Sequence, residues 1–329
     1  MKQRLDYIDI AKGLGIILVV LSHTVYQELM FYTVAFFVPV FFFCSGYTSS
    51  KKDIGLKASF IRHATKLLKP YLFFSALLIL YFHDFSLRAV LGIFYSRYCL
   101  YPFGTEPDIF RLFVIGNYPM WFLPCMVVAY PLYYLIIHYP KYQFQTISLY
   151  LILTAMMEFL PILLPWSIDT AFLMAIVMYA GTAFRRYIPD SFTNRSLAPV
   201  AIFAIIVYLL LLPLCYDINL SVRMYGPSMI AYLLAAITGS IMLIALSRLI
   251  QGSFIGSILQ HIGKHSLTIF CIEMPFVLWA KELAGHLPLS PNHYLFVTAI
   301  LQTIVAIAGG YGISLLLHYN KRIESIIFH

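Results

Sequence analysis

Apolar segments long enough to cross a lipid bilayer as helices recur along the whole chain. Of its 329 residues, 61% are hydrophobic and 11% are charged, whereas a soluble domain has about 45–50% apolar and about 25% charged residues. Proline and glycine separate the segments, which lie near residues 9–28, 31–48, 66–83, 118–138, 144–163, 168–184, 197–214, 228–247, 266–283 and 294–318. We therefore expect an all-α, polytopic integral membrane protein of about ten transmembrane helices.

The stretches between these segments indicate how the chain is organised. Residues 84–117 and 249–265 are too polar to span a membrane and are expected to hold short surface or re-entrant helices. No internal repeat and no long polar region is apparent. We expect residues 1–329 to form a single transmembrane domain with no extramembrane domain.

The basic residues predict the orientation of the chain in the membrane. When the N-terminus is placed in the cytoplasm and the segments alternate, 17 of the 22 Lys and Arg residues fall on the inner side and five on the outer side. Basic loops stay in the cytoplasm, so both termini are predicted to be cytoplasmic and the protein to lie in the inner cell membrane. Because the basic residues do not form one soluble patch, nucleic-acid binding is not expected. The cysteines lack the spacing of a zinc site, so no metal is expected.

The first apolar segment begins DIAKGLGIILVVLSH, and this stretch carries three ionisable residues, Asp9, Lys12 and His23. An ionisable side chain inside a membrane costs about 2.5–3.5 kcal/mol on insertion scales, so each one needs a partner or a function. The spacing of Lys12 and His23 places them on one helix face, about 16 Å apart along the axis. Asp9 lies three residues before Lys12, close enough to pair with it. The segment therefore predicts a polar track from the inner surface towards the outer half of the membrane.

Two interpretations of this track are open. Lys12 can extend to the inner headgroups while His23 is an interfacial residue with satisfied hydrogen bonds. Alternatively, His23 is a catalytic base, because histidine is the side chain best suited to proton transfer near neutral pH. Glu273, in the ninth segment, has no basic residue near it in its own helix, and a carboxyl group at that depth needs a cation, a donor or a proton. It is the next candidate for a catalytic role.

The loop after the second segment is strongly basic. Residues 51–69 hold six Lys and Arg residues and one Asp, and Arg62, Lys66 and Lys69 recur at the spacing of one helix face. Such a face suits an anionic ligand with several phosphates. Contact with anionic lipid headgroups is the alternative.

Several short motifs accompany these residues. The second segment ends FFFCSGYTSS, the fourth opens NYPMWFLP, and IGKHSL leads into the ninth. Taken alone, Ser45 and Gly46 are consistent with a helix end, and Trp121 with an interfacial anchor. Together with the spacing of Lys12 and His23, the preceding Asp9 and the basic run from Arg62 to Pro70, they resemble the membrane acyltransferase-3 family, which includes sugar and polysaccharide O-acetyltransferases. The resemblance covers nearly the whole chain.

The resemblance implies transfer of an acyl group, most often acetyl, from cytoplasmic acetyl-CoA or another acyl-CoA to a hydroxyl of a cell-surface glycan or lipid-linked sugar. His23 would remove the proton of the acceptor hydroxyl, and Lys12 and Asp9 would support it. The donor would be bound by the basic loop and the short motifs, that is by Arg62, Lys66, Lys69, Ser45 and Trp121. Direct transfer is favoured, because no obvious local base accompanies Ser45. The family commonly has a histidine near the position of Glu273, so no role is carried over to this residue.

A proton-coupled transporter or flippase of a polar or lipid-linked small molecule is the alternative function. The intramembrane residues Asp9, Lys12, His23 and Glu273 are of the kind that couples protons to transport. Against this alternative, the sequence shows no inverted halves and no matched pair of broken helices. The acceptor and the length of the acyl chain are not determined by the sequence.

Overall fold

A computed structural model describes residues 5–25, 30–49, 55–97, 99–102, 119–188, 194–286 and 291–328. Helices hold 84% of the described residues, which confirms the all-α class. The α-helices are α1 (Asp6–Ser22), α2 (Met30–Thr33), α3 (Pro39–Thr48), α4 (Leu56–Phe82), α5 (Leu87–Tyr95), α6 (Phe122–His138), α7 (Gln143–Glu158), α8 (Ile168–Tyr187), α9 (Asn194–Leu211), α10 (Met229–Ile250), α11 (Phe254–Lys264), α12 (Ser266–Gly285), α13 (Pro291–Tyr319) and α14 (Lys321–Phe328). A short antiparallel hairpin pairs β1 (Ile218–Asn219) with β2 (Met224–Tyr225).

Every predicted apolar segment contains helix, and the short helices α5 and α11 lie in the two stretches expected to hold them. Within the described residues, six helices are long and apolar enough to cross a membrane: Leu56–Phe82, Pro119–His138, Pro165–Tyr187, Ser196–Leu214, Met229–Ile250 and Tyr294–Tyr319. The chain is therefore a multi-pass membrane protein. The count of about ten spans and the cytoplasmic position of the termini stay predictions.

The second predicted segment is divided into α2 and α3 instead of forming one helix. Residues 34–38 form turns, and Pro39 occupies the start of α3. Proline has no N–H to donate and is favoured in the first turn of a helix, which explains why the helix restarts there. The basic loop, in contrast, is largely helical: α4 begins at Leu56 and carries the predicted cations on its first turns.

Close contacts at glycine residues fix how the central helices cross. A Cβ atom at Gly13 of α1 would collide with the backbone of α11, and one at Gly263 of α11 would collide with the backbone of α1. In the same way, a Cβ atom at Gly46 of α3 would collide with the backbone of α8, and one at Gly181 of α8 would collide with the backbone of α3. Small residues allow helices in a membrane to approach to backbone contact. The glycine of the Ser45–Gly46 motif therefore has a packing role between α3 and α8.

Candidate active site

His23 lines a cavity of about 450 Å³, which we call the histidine cavity. The residue directly follows the last residue of α1, rather than lying inside the helix as the first predicted segment implied. Other walls come from the break between α2 and α3, the start of α6, the β1–β2 hairpin and α12. They include Val38, Trp121, Asn219 and Met274.

Glu273 of α12 lies against His23. The distance from His23 Nδ1 to Glu273 Oε1 is 2.7 Å, and the two side chains are 17% and 0% exposed. The two atoms are at ion-pair distance, and Glu273 Oε2 has no hydrogen-bond partner among the described residues. Burying a carboxylate is costly unless a positive charge or a donor compensates it, and the imidazole ring is placed to do so. The structure thus brings together His23 and Glu273, which the sequence analysis treated as separate candidates for a catalytic role.

This pair has the arrangement of a general base supported by a carboxylate. A carboxylate beside Nδ1 favours the tautomer with its proton on that nitrogen, an assignment that follows from the contact. Nε2 then carries the lone pair, on a residue that lines the histidine cavity. When Nε2 accepts a proton, the negative charge of Glu273 stabilises the resulting imidazolium.

A buried charge network holds the hairpin wall of the histidine cavity. Arg97 pairs with Asp169 Oδ1 and donates from Nη1 to the Ser221 carbonyl at 2.6 Å. Arg223 pairs with Asp169 Oδ2 at 3.3 Å and donates to the Leu160 carbonyl at 2.6 Å. Because Ser221 lines the cavity, this network fixes one of its walls. Sequence reasoning did not identify it, although the cost of a carboxylate inside the sixth apolar segment was the available signal.

Arg62 and Lys66 line a second cavity of about 310 Å³, which we call the basic cavity. It lies beside the last turns of α3 and α6, whereas the histidine cavity lies beside their first turns. Two ring pairs in its lining are stacked with 3.6 Å between centroids: His63 on Tyr130, and Tyr134 on His138. Cations, hydroxyl groups and flat aromatic faces together suit a ligand that carries phosphates and a planar ring.

The residues predicted to bind a donor do not all lie in the same cavity. Ser45 shares the basic cavity with Arg62 and Lys66. Trp121 lies instead in the histidine cavity, and Lys69 is exposed on α4 without lining either of these cavities in the described part of the chain.

The polar residues at the start of α1 lie apart from both groups. Asp9 is buried and Lys12 is half-buried, and Lys12 lies about 16 Å from His23 along the helix direction. The proposed pairing of Asp9 with Lys12 stays a prediction. In the described ranges, no three His, Cys, Asp or Glu side chains are grouped as a metal site.

The fold and the site define a multi-pass helical membrane protein in which a histidine lines a cavity and a buried carboxylate lies against it. A family model described as an acyltransferase domain matches residues 5–319, nearly the whole chain. The chain belongs to this acyltransferase family, which confirms the family predicted from the motifs, and it is a membrane acyltransferase. The transporter alternative is not favoured. Searches of curated proteins and of solved structures find no similar chain.

Proposed function

We propose that this acyltransferase moves an acyl group, in the first instance acetyl, from cytoplasmic acyl-CoA to a hydroxyl of a cell-surface glycan or lipid-linked sugar. The observation that supports this most directly is that His23, with Glu273 behind it, and the cations Arg62 and Lys66 line cavities at opposite ends of α3 and α6. A base at one end suits an acceptor hydroxyl, and cations at the other end suit the donor phosphates. The excess of basic residues on one side of the membrane would place the donor end in the cytoplasm.

The chemical step is direct transfer. The acceptor hydroxyl gives its proton to His23 Nε2 while its oxygen attacks the thioester carbonyl carbon, and a C–O bond forms. The C–S bond then breaks, and the departing sulfur takes the proton back from the imidazolium. The products are the acyl ester and free coenzyme A thiol, and His23 returns to its neutral form. Glu273 stabilises the positive charge that His23 carries between these two proton transfers.

The remaining predicted residues receive roles from their positions. Trp121 would contact the acceptor or the acyl end of the donor, because it lies with His23. Ser45 would contact the donor near its thioester end, because it lines the basic cavity and lies 3.8 Å from Met126 Sδ. Lys12 and Asp9 would contribute charge at the start of α1, the helix that His23 follows, and Lys69 would attract the donor from the membrane surface.

The proposal is tested by incubating the purified protein with radiolabelled acetyl-CoA and by mass spectrometry of surface glycans from cells with and without the gene. We expect consumption of the thioester, and one acetyl mass increment on a glycan that disappears with the gene. A thioester that stays intact in the presence of a cell-envelope extract, together with unchanged glycans, would contradict the proposal.

The donor assignment predicts a specific kinetic change. Replacing both Arg62 and Lys66 with Gln should raise the KM for acetyl-CoA more than it lowers kcat. A hydrogen bond to a charged group contributes about 1.5–3 kcal/mol, which corresponds to about a 10–100-fold effect for each lost contact. Initial rates at varied acetyl-CoA concentrations measure both KM and kcat.

The matched control is Lys57→Gln, which removes an exposed charge from the same helix outside the basic cavity. Its KM should stay close to that of the parent, and Lys69→Gln should lie between the two. An unchanged KM in a folded Arg62→Gln, Lys66→Gln double variant would assign these cations to lipid headgroups instead.

A further inference from the structure

The histidine cavity and the basic cavity approach each other along one face of α6. Phe122 lines the first cavity and Met126 lines the second. Four residues of α-helix correspond to about 6 Å along the axis. The two cavities are therefore separated along α6 by about one helical turn.

Aromatic rings from three helices meet at Phe122, where this turn of α6 begins. The Phe122 ring packs edge-on with Phe41 and Phe42 of α3, with centroids 5.7 and 5.3 Å away, and with Phe270 of α12 at 5.0 Å. Edge-to-face contacts at these distances are favourable, and Phe42, Phe122 and Phe270 are buried. We call Phe41, Phe42, Phe122 and Phe270 the aromatic layer. Phe122 contacts the other three rings and is its central member.

The proposed reaction requires a connection across this layer. A donor whose phosphates are held at Arg62 and Lys66 must bring its thioester to the cavity of His23. Tyr130, which stacks on His63 beside these cations, is eight residues from Phe122, or about 12 Å along α6. The acyl end of the donor therefore has to reach Phe122 or pass it.

We propose that Phe122 closes the connection between the two cavities and admits the acyl end of the donor while excluding water. The identity of the donor rests on the proposed function, but the closure of the connection by Phe122 does not. A constriction lined by apolar side chains excludes water. Without the Phe122 ring, water can attack the thioester carbonyl carbon, the C–S bond breaks, and a carboxylate and the coenzyme A thiol are formed. Phe122 thus determines the selectivity for transfer over hydrolysis.

Cysteine labelling tests the closure without requiring enzyme activity. The five native cysteines are replaced by alanine, Ser45→Cys is introduced in the basic cavity, and a membrane-impermeant thiol reagent is applied to intact cells and to inverted vesicles. We expect Ser45→Cys to react only from the side of Arg62. After Phe122→Ala, we expect it to react from the opposite side as well, at a rate on the order of tenfold above the background of the chain without cysteines, a factor equivalent to about 1.4 kcal/mol in the barrier.

Four control variants accompany this measurement. Asn219→Cys and Lys57→Cys mark the sides of the histidine cavity and of the basic cavity. Phe36→Ala removes a buried ring that packs on Tyr208 outside the aromatic layer, and it should leave the labelling unchanged. Phe122→Leu perturbs packing less than Phe122→Ala and should open the layer in part. Reaction of Ser45→Cys from the Arg62 side at the parent rate shows that each variant is folded.

Two results would overturn the closure. One is reaction of Ser45→Cys from the histidine side in the parent chain. The other is the absence of this reaction in both Phe122 variants while Asn219→Cys reacts. If Asn219→Cys reacts only in inverted vesicles, the orientation in the proposed function is wrong. The labelling of Ser45→Cys from the two sides of the membrane still tests whether Phe122 closes the connection.

The rate of acetyl-CoA hydrolysis tests whether the donor uses the connection that Phe122 closes. Purified Phe122→Ala is expected to hydrolyse acetyl-CoA without an acceptor on the order of tenfold faster than the parent. If labelling shows that the aromatic layer is open in Phe122→Ala but the rate of hydrolysis does not rise, Phe122 closes the connection and the assignment of acyl-CoA as the donor is wrong.

Discussion

His23→Gln is expected to lower the rate of acyl transfer about 10²–10⁴-fold while the KM for the donor stays close to the parent value. Glutamine keeps a hydrogen-bonding side chain at this position but cannot accept a proton near neutral pH. The change therefore removes proton transfer and leaves the donor cations untouched. Transfer of a radiolabelled acetyl group, measured at varied donor concentrations, separates the effects on kcat and KM.

A matched control for this variant is His261→Gln. The His261 side chain is exposed, and its Nδ1 lies 2.7 Å from the Ser257 carbonyl of its own helix α11. Its replacement should leave the transfer rate nearly unchanged. Near-normal transfer by His23→Gln would show that His23 is structural and that another group, with Glu273 the next candidate, acts as the base.

Glu273→Leu is expected to reduce kcat by about 10²-fold or more without reducing the thermal stability of the protein. The Glu273 side chain is completely buried. Removing one partner of a buried pair destabilises a protein when the other is left as an uncompensated charge. His23 can remain neutral without its partner, so no uncompensated charge is left behind. Activity and stability should therefore change independently, a pattern that a merely structural role for Glu273 does not explain.

Two further variants make this prediction sharper. Glu273→Gln, which keeps the size but loses the charge, should retain more activity than Glu273→Leu. In the double variant His23→Gln, Glu273→Leu, the rate should be no lower than with His23→Gln alone, because residues that act as a unit are not additive. Glu324→Gln is a suitable control, since Glu324 lies at the surface 3.9 Å from His318. A fully active Glu273→Leu would exclude the carboxylate from the reaction.

Much of the secondary structure follows from local sequence. A backbone in lipid must satisfy its own hydrogen bonds, so long apolar segments such as the one that forms α10 become helices. The spacing of Arg62, Lys66 and Lys69 correctly predicted one helix, because charges recurring every three or four residues follow the helical period. The break at Pro39 was the exception. The apolar run passes through it without interruption, and only the missing N–H of proline divides the helix there.

The sequence by itself determined the helical class, the family and the residues that are costly in a membrane, because hydropathy, helical period and short motifs are properties of neighbouring residues. Only the tertiary structure decided that His23 meets Glu273, that Trp121 lines the cavity of His23 rather than that of Arg62, and that the Phe122 ring packs against rings from α3 and α12. Such pairings depend on how distant helices cross. These crossings are fixed by backbone contacts at Gly13, Gly46, Gly181 and Gly263, which no pattern along a single helix specifies.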